Sequence, residues 1–429
     1  MKRVACLLVI AILASVSFLS CGYSSSSYKP PSGLTTRVFA SQSVSTSTAF
    51  PGLLVIDGAN DTPARASEIS AGNSPGLMAI SPDRTTLLVF DSALNSNSVA
   101  VVSTQRESQI GTIQLAGPTT SMVALASGFA YAAVPTASFQ SVPSPGAVQV
   151  MNLTAGGITA NVSVLNAQTV VASPDGSQLL VFSNDSDVVT IMSPLLVNTG
   201  NPVTATVPTC TGCRPVYALF STDGGTAYIF NCGAQCGGAG TPASVQSLNM
   251  ATLILGTPIV VDGATIGLLN GSTLYVAGTS TTNNLCSGQT TVAPTCGRLD
   301  IVDLGSMTVT NSAVITDGYH DRIDMSSNGQ LFIGSNTCST VGDVNNPVGE
   351  VRGCLSIFDT TNGTVVIPPD NGDVTGLQSF TSRYVEYVAE GGNLRVYDTT
   401  QDKLLVNTII SGTIGVSGQI IDVKAVDFF

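Results

Sequence analysis

The feature that most constrains the fold is a repeat that runs along almost the whole chain. The stretch SPDGSQLLVFSNDSDVVTIMS (173–193) contains a turn, an apolar strand, a second turn and a second apolar strand, and SPDRTTLLVFDSALNSNSVAVVS (81–103) has the same order. Successive copies lie 45, 47, 48, 48, 57 and 55 residues apart when they are counted from the turn residues Asp83, Gly128, Asp175, Asp223, Gly271, Asn328 and Arg383. A period of this size is typical of one four-stranded blade in a β-propeller.

The two ends of the chain complete one more blade. QIIDVKAVDFF (419–429) has the pattern of a first strand with no later strands after it, whereas TRVFASQSV (36–44) and PGLLVIDGAN (51–60) have the pattern of second and third strands with no first strand before them. Pairing of the N- and C-terminal strands closes the ring and removes free sheet edges. We therefore predict an all-β fold, a single propeller over residues 35–429 with eight four-stranded blades, or seven if the weak unit at 119–160 is not a blade.

Several copies also share the end of their third strand, where an apolar residue precedes an aspartate, as in Val302-Asp303, Phe358-Asp359 and Tyr397-Asp398. Together with the Ser-Pro-Asp-Gly turn, this pattern resembles the YVTN-type β-propeller repeat of the lactonase-like and quinoprotein-like propellers. The resemblance covers nearly all of residues 36–429 and implies the fold. It implies no single function, because such propellers include surface-layer proteins, binding scaffolds and lactonase-like enzymes.

The N-terminus has the features of an export signal. Lys2 and Arg3 precede an apolar run (4–18) that is long enough for a signal-peptide core and short for a membrane-spanning helix. The next residues, Leu19-Ser20-Cys21-Gly22, resemble the bacterial lipoprotein signal, which implies that Cys21 is lipidated and becomes the mature N-terminus. The alternative is an ordinary secretory signal with an incidental cysteine.

We accordingly predict a lipoprotein signal peptide over residues 1–20 and a flexible Ser/Pro-rich tether over 21–34. In the sorting logic of lipoproteins, Gly22 after the cysteine implies the outer membrane, with the protein either periplasmic or exposed at the cell surface. Removal of Lys2 and Arg3 leaves 13 basic and 27 acidic side chains, a formal net charge of −14. Such a chain repels phosphate backbones, so we expect no nucleic-acid partner and a membrane association only through the lipid.

Eight further cysteines follow Cys21, and their even number in an exported protein favours disulfides. They are Cys210, Cys213, Cys232, Cys236, Cys286, Cys296, Cys338 and Cys354. We predict that Cys286–Cys296 and Cys338–Cys354 close loops, each contributing roughly 3 kcal/mol through loop entropy. The other four pair within CTGC and CGAQC or across these two motifs, and a zinc site with four cysteine ligands is the alternative.

All eight cysteines fall in loops that a four-stranded meander places on one face of the propeller. The long loops 135–146, 278–297 and 335–354 lie on the same face, where a rigid scaffold commonly carries its binding residues. We therefore predict that this face binds the ligand. The alternative is that these loops have simply varied at a tolerant surface.

Candidate chemistry centres on His320, the single histidine, which lies in DGYHDRIDMSS just before a first strand. His320, Asp321 and Arg322 are candidate catalytic residues, as a base, its orienting carboxylate and an oxyanion-binding cation. Arg214 has the corresponding place in an earlier blade, so Arg214, His320 and Arg322 are the candidate ligand-binding residues. The alternative for His320 is a loop histidine with a structural role.

The sequence favours a binding protein over an enzyme. It contains no Gly-x-Ser-x-Gly nucleophile elbow, phosphate-binding loop or His-Glu-x-x-His motif. The absence of Trp argues against the propellers that stack a quinone cofactor on that residue, so we expect no cofactor and no metal. We predict a monomer that binds a protein, peptide or glycan of the cell envelope, with lactonase-like hydrolysis around His320 as the alternative.

Overall fold

A computed structural model describes most of the region in which the repeats occur. The described residues are 30–44, 51–64, 68–139, 145–199, 202–280, 297–338, 354–368, 372–406 and 418–427. The predicted signal peptide, Cys21 and most of the tether lie outside these residues, as do Cys286, Cys296 and most of the three long loops. Their predicted roles stay predictions.

Within the described residues the chain forms strands and two short 3-10 helices, Pro194–Thr199 and Gly233–Cys236. None of the described helices is long and apolar enough to cross a membrane. The strands are β1 Thr36–Val44, β2 Gly52–Asp57, β3 Thr62–Pro63, β4 Pro75–Ile80, β5 Thr86–Asp91, β6 Ser98–Ser103, β7 Ser108–Gln114, β8 Ser121–Ala124, β9 Phe129–Val134, β10 Ala147–Asn152, β11 Gly157–Ser163, β12 Ala167–Ala172, β13 Leu179–Ser183, β14 Val188–Met192, β15 Val203–Pro208, β16 Pro215–Phe220, β17 Thr226–Asn231, β18 Ser244–Asn249, β19 Ile259–Val260, β20 Ile266–Asn270, β21 Thr273–Thr279, β22 Gly297–Asp303, β23 Thr308–Ile315, β24 Tyr319–Met325, β25 Gln330–Asn336, β26 Leu355–Asp359, β27 Val365–Val366, β28 Val374–Ser379, β29 Val385–Glu390, β30 Asn393–Asp398, β31 Lys403–Val406 and β32 Gly418–Asp427.

These strands form eight four-stranded antiparallel sheets, which confirms the predicted eight-bladed propeller. Blades 2 to 8 are β4–β7, β8–β11, β12–β15, β16–β19, β20–β23, β24–β27 and β28–β31, and we name the strands of each blade A to D from the channel outwards. Blade 1 has the order β32-β1-β2-β3, so its strand A comes from the C-terminus and its strands B to D from the N-terminus. The predicted closure of the ring is therefore confirmed, with β1 and β32 paired from Thr36 and Asp427 to Val44 and Gly418.

The hydrophobic core is a ring of separate clusters rather than one mass. Each of the eight clusters lies between two consecutive blades, and the cluster that joins the two ends packs Phe380 and Tyr387 of blade 8 against Val423 and Ala425 of β32. One blade alone would leave the apolar residues of both its faces in water, so the blades are stable only when stacked on their neighbours.

The repeated turn motif has a hydrogen-bonding role that explains its sequence. In blade 4 the hydroxyl of Ser173 donates to Asp175 at 2.6 Å and accepts from the backbone N–H of Gln178 at 3.0 Å, which closes the turn between strands A and B. Ser81 with Asp83 and Ser221 with Asp223 make the same pattern. Local bonds of this kind are why Ser and Asp are favoured in turns.

In blades 1, 6, 7 and 8 strand C ends in an aspartate, which closes the turn to strand D in a similar way. The carboxylate of Asp303 accepts from the backbone N–H groups of Gly305 and Ser306, and that of Asp359 accepts from those of Thr361 and Asn362. The A–B and C–D turns emerge on the same side of the disc, which we call the turn face. The B–C and D–A loops emerge on the other side, which we call the mouth face.

Candidate functional site

The main cavity of the described residues, about 650 Å³, opens at the mouth face of the central channel. Its walls come from the start of strand A in blades 2 to 7 and from the loops beside them. The lining residues are Leu77, Thr120, Ser121, Met122, Gln168, Thr169, Phe182, Ser183, Asn184, Asp185, Arg214, Pro215, Val216, Tyr217, Gln235, Cys236, Thr265, Ile266, Tyr319, Asp321 and Arg322. A cavity of this size, with apolar and polar walls, can hold a small organic molecule or the end of a larger one.

A β-bulge at the start of strand A selects which side chains reach this cavity. In blade 7 the pairing register shifts between His320 and Arg322, and similar shifts occur in blades 4, 5 and 8, for example between Pro215 and Tyr217. The extra residue re-aims the side chains that follow it. As a result Asp321 and Arg322 of blade 7 line the cavity, whereas His320, before the bulge, is fully buried outside the lining.

Arg214 reaches the cavity from the loop before β16. Its backbone has φ of 52°, in the left-handed region, and its N–H donates to the Asp187 carboxylate at 3.0 Å. That carboxylate also accepts from Gly212 at 2.8 Å, so the preceding blade holds the loop in place. The guanidinium of Arg214 makes no hydrogen bond or ion pair of 4 Å or less within the described part of the chain, and its Nε is buried.

Arg322 and Asp321 form a second charged group in the wall of the cavity. The Nη1 of Arg322 lies 3.2 Å from the Asp321 carboxylate, and its Nε donates to the carbonyl of Thr375 in blade 8 at 2.6 Å. Asn336 donates to the same carboxylate at 2.8 Å. Burial raises the pKa of Asp321, while the charge of Arg322 acts in the opposite direction. Asp321 can therefore take up a proton more readily than an exposed aspartate.

Tyr217 lies at the same strand position in blade 5 as Arg322 in blade 7, one residue after the bulge. Burial raises the pKa of its phenol, and the nearby charge of Arg322 lowers it. The hydroxyl therefore stays protonated near neutral pH and can donate a hydrogen bond to a ligand. Sequence reasoning missed Tyr217 because it lies inside an apolar strand, and only the bulge register distinguishes it from a core residue.

His320 does not join these residues. Its side chain is fully buried, and its Nε2 donates to the carbonyl of Thr316 at 2.8 Å. Burial lowers the pKa of the imidazole to about 4, so the ring is neutral at pH 7 and its Nε2 carries the proton that this bond requires. The structure thus brings Arg214, Asp321 and Arg322 together at the cavity and places the imidazole of His320 outside its lining.

The predicted equivalence of Arg214 with the His320 group also needs adjustment. Arg214 directly precedes Pro215, the residue before the bulge in blade 5, whereas Tyr319 directly precedes the equivalent His320 in blade 7. Arg214 therefore has the place of Tyr319, and Tyr217 has the place of Arg322. The two arginines approach the cavity from different strand positions on blades 5 and 7.

Disulfides fix the mouth face next to this cavity. Cys210 pairs with Cys213 and Cys232 with Cys236, each within its own short motif, so the sulfur atoms are not arranged as a four-cysteine zinc site. Cys338 pairs with Cys354 as predicted. The 3-10 helix that ends at Cys236 contains Gln235. The side-chain oxygen of Gln235 accepts a hydrogen bond from the Thr279 N–H of blade 6 at 2.9 Å, and its side-chain nitrogen donates to the Gly318 carbonyl of blade 7 at 3.3 Å.

A second cavity of about 450 Å³ begins at the mouth face beside the loop that joins blades 3 and 4, and it extends along strands C and D of blade 4. It is lined by Ser163, Val164, Leu165, Asn166, Ser183, Asn184, Asp185, Ser186, Thr190, Val203 and Thr206. Ser183, Asn184 and Asp185 line both cavities, so within the described residues the B–C loop of blade 4 is part of the wall of each.

Comparison with known proteins supports the fold and leaves the family open. No protein-family model matches the chain, and no curated protein matches it. A putative 6-phosphogluconolactonase from Bacteroides fragilis is 13% identical over 92% of this chain and 98% of its own, with a TM-score of 0.53. One from Bacteroides uniformis is 12% identical over 91% and 100%, with a TM-score of 0.52.

Dihydro-heme d1 dehydrogenase NirN has a similar likeness, 12% identity over 92% of this chain and 75% of its own, with a TM-score of 0.54. These neighbours include lactonase-like propellers and a propeller of a different activity. At such identities the likeness shows the β-propeller fold and nothing about chemistry.

Proposed function

We propose that this protein binds a carboxylate-bearing ligand in the channel mouth, with Arg214 as the main recognition residue. The observation that carries the proposal is Arg214, which lines the cavity and whose guanidinium has no hydrogen bond or ion pair of 4 Å or less among the described residues, only a longer-range attraction to Asp187. A buried donor without a partner costs about 1–3 kcal/mol, and a bidentate bond to a carboxylate removes that cost.

The rest of the cavity suits the same ligand. Asp321 and Thr375 contact the Nη1 and Nε of Arg322 and leave part of its guanidinium facing the cavity. Tyr217 offers a protonated hydroxyl. Leu77, Met122 and Ile266 add apolar surface to the lining from blades 2, 3 and 6. The two arginines balance the charges of Asp185 and Asp321 in the same lining, so the cavity is locally less negative than a chain with a formal charge of −12.

The proposed setting is the cell envelope, with the protein anchored through a lipid on Cys21. Ser32 donates from its backbone N–H to Glu107 at 2.7 Å, and Glu107 lies in the C–D turn of blade 2. The chain therefore enters the propeller at the turn face. Anchoring at Cys21 would leave the mouth face directed away from the membrane, where a ligand can reach it.

Lactonase-like hydrolysis is the second candidate, and the raised pKa of Asp321 within the cavity favours it. In this reading Asp321, in place of His320, would accept a proton from water as the water attacks the lactone carbonyl, and Arg214 would stabilise the negative charge on the carbonyl oxygen. The ester C–O bond would then break, and Asp321 would return the proton to the ring oxygen that leaves. The putative 6-phosphogluconolactonases among the structural neighbours motivate the choice of lactone as a substrate.

The test is calorimetric titration with gluconate and N-acetyl-alanine, each beside its uncharged amide. We expect both acids to bind more tightly than their amides and Arg214→Gln to weaken acid binding at least tenfold. Arg106→Gln is the matched control, because Arg106 is exposed in the C–D turn of blade 2 on the opposite face. Equal binding by Arg214→Gln and wild type, or no binding of either acid at 10 mM, would refute the proposal.

Hydrolysis is tested separately by proton release from glucono-δ-lactone, corrected for its spontaneous opening. A rate above that background which Asp321→Asn removes would support the second candidate. A rate equal to the background would exclude this lactone as a substrate, and a rate that survives Asp321→Asn would exclude the assigned base.

A further inference from the structure

The two cavities adjoin at the B–C loop of blade 4, and a ligand that crosses this loop would follow a path from one to the other. They share Ser183, Asn184 and Asp185, so among the described residues this loop belongs to the wall of both. This loop has four residues, 184–187, and the D–A loop beside it has three, Val164–Asn166. We call this low part of the rim, residues 164–166 and 184–187, the saddle.

The path runs from strand A to strand D of blade 4. Gln168 and Thr169 of strand A line the 650 Å³ cavity, which we call the channel cavity. Thr190 of strand C and Val203 and Thr206 of strand D line the 450 Å³ cavity, which we call the outer cavity. Neighbouring strands are about 4.8 Å apart, so the path crosses about 14 Å of blade. An extended heptapeptide is about 23 Å long and spans this distance with residues to spare at the channel end.

The lining of the outer cavity has the chemistry of a peptide groove. Hydroxyl and amide side chains of Ser163, Asn184 and Thr206 can both donate to and accept from a peptide backbone. Leu165, which is 54% exposed, supplies an apolar contact for one side chain. No aromatic side chain lines this cavity among the described residues, so it lacks the flat surface on which a sugar ring stacks.

Building on the proposed function, we propose that the ligand is an extended peptide whose C-terminal carboxylate binds Arg214 in the channel mouth and whose preceding residues cross the saddle into the outer cavity. The two parts of the path have different tasks. Arg214 binds only a peptide with a free C-terminus and so fixes the direction of the peptide. The saddle and the outer cavity contact the peptide residues that precede its C-terminus.

The experiment selects binders from a library of random heptapeptides with free C-termini and measures their affinities by fluorescence anisotropy. We expect a selected heptapeptide to bind at least tenfold more tightly than its N-acetylated C-terminal dipeptide, and amidation of its C-terminus to weaken binding at least tenfold. Leu165→Ser should weaken heptapeptide binding about fivefold and leave the dipeptide unchanged. Leu94→Ser is the matched control, because Leu94 is 92% exposed on the mouth face of blade 2 outside both cavities.

Four results would overturn the inference. They are a library without binders, a dipeptide that binds as tightly as the heptapeptide, equal effects of Leu165→Ser and Leu94→Ser, and an amidated heptapeptide that binds as well as the acid. If any of these occurs while gluconate or N-acetyl-alanine still depends on Arg214, the peptide assignment fails and the proposed function stands. If no acid binds, the proposed function fails as well.

Discussion

The turn face and the mouth face of this propeller are built from the same repeat but differ in how their polar groups are used. On the turn face, Ser173 and Asp175 bond to each other and to the adjacent backbone, and equivalent residues do the same in other blades. On the mouth face, the guanidinium of Arg214 lines a cavity without a close partner among the described residues. The first arrangement uses these polar groups to close turns, whereas the second leaves the guanidinium of Arg214 available to the proposed ligand.

This difference teaches where to look for function in a repeat protein. Residues that recur in every copy serve the fold, because each copy has to make the same turn. Residues that occur once, such as Arg214 and the Asp321–Arg322 pair, have no part in the turns that the repeat makes. Changes on the turn face should therefore alter stability and leave ligand binding intact, whereas Arg214→Gln should do the reverse.

The largest expected effect of a single substitution on stability is that of Glu107→Ala on the turn face. Glu107 lies 2.8 Å from the fully buried Arg37, whose Nη1 also bonds the Thr104 carbonyl. Removal of the carboxylate takes away the ion pair that it forms with this buried guanidinium, and we expect the free energy of unfolding to fall by about 3 kcal/mol in urea titrations.

Glu68→Ala is the control for Glu107→Ala. Burial alone raises the pKa of Glu68, so its removal should leave stability unchanged or slightly higher. Equal effects of the two substitutions would mean that the Arg37–Glu107 pair contributes nothing specific. Binding of N-acetyl-alanine should be the same in both variants and wild type.

His320→Ala tests whether a mouth-face residue can be purely structural. Loss of the ring opens a cavity and leaves the Thr316 carbonyl without its donor, so we expect a loss of about 2 kcal/mol at pH 7. Blade 4 has Ala167 at the same position before its bulge, which shows that the backbone accepts this residue. The affinity for gluconate and N-acetyl-alanine should change less than twofold. A tenfold loss of affinity would mean that His320 belongs to the binding site.

The pH dependence of the same variant gives an independent check. The folded pKa of His320, about 4, is below the value of about 6.5 expected in the unfolded chain. The unfolded state therefore takes up a proton first as the pH falls, and this histidine should cost the wild type about 3 kcal/mol between pH 6.5 and pH 4. Stability of His320→Ala should lack that part of the slope in the same range.

His320 also shows how far the sequence could be read. The period, the turn residues and the split terminal blade predicted the eight-bladed ring, because turn chemistry and strand pattern are local properties. Whether His320, Asp321 and Arg322 are buried or line the cavity depends on a β-bulge, and no local sequence pattern indicates that bulge. Aligning the blades on strand A would have helped, since Ala167 and Val374 at the position of His320 are small apolar residues.

Ser173→Ala should have a smaller effect, about 1 kcal/mol, because one neutral hydroxyl and its two hydrogen bonds are lost. The hydrogen bond from Ser173 is also the largest cause that lowers the pKa of Asp175 to about 2. A lowered carboxylate pKa contributes stability above pH 4 that is lost as the pH falls toward 2, so the variant should differ less from wild type at pH 2.5 than at pH 7.

Ser92→Ala on the mouth face is the matched control for this turn. Its hydroxyl is exposed and donates to the Ser74 carbonyl at 3.0 Å, so we expect a loss below about 0.5 kcal/mol. If Ser92→Ala destabilises the protein as much as Ser173→Ala, the two faces do not differ in the way that their hydrogen bonds indicate.

Asp402→Asn should have the smallest effect and the opposite sign. Burial and the charges of Asp359 and Asp398 raise the pKa of Asp402 to about 6, so its ionised form opposes folding. Protonated Asp402 makes its full contribution to the free energy of unfolding below about pH 4, and this contribution is lost as the pH rises through 6. Because the side chain is partly exposed, we expect Asp402→Asn to add less than about 1 kcal/mol at pH 8 and nothing at pH 4.

Thermal unfolding between pH 4 and pH 8 measures this effect, with Asp223→Asn as the partner variant. The Ser221 hydroxyl and the Gly225 N–H bond the Asp223 carboxylate and lower its pKa, so its substitution should destabilise the protein at pH 8. The turn face thus contains aspartates that stabilise it by accepting hydrogen bonds and one whose charge is repelled by its neighbours. Destabilisation by Asp402→Asn at pH 8 would contradict that distinction.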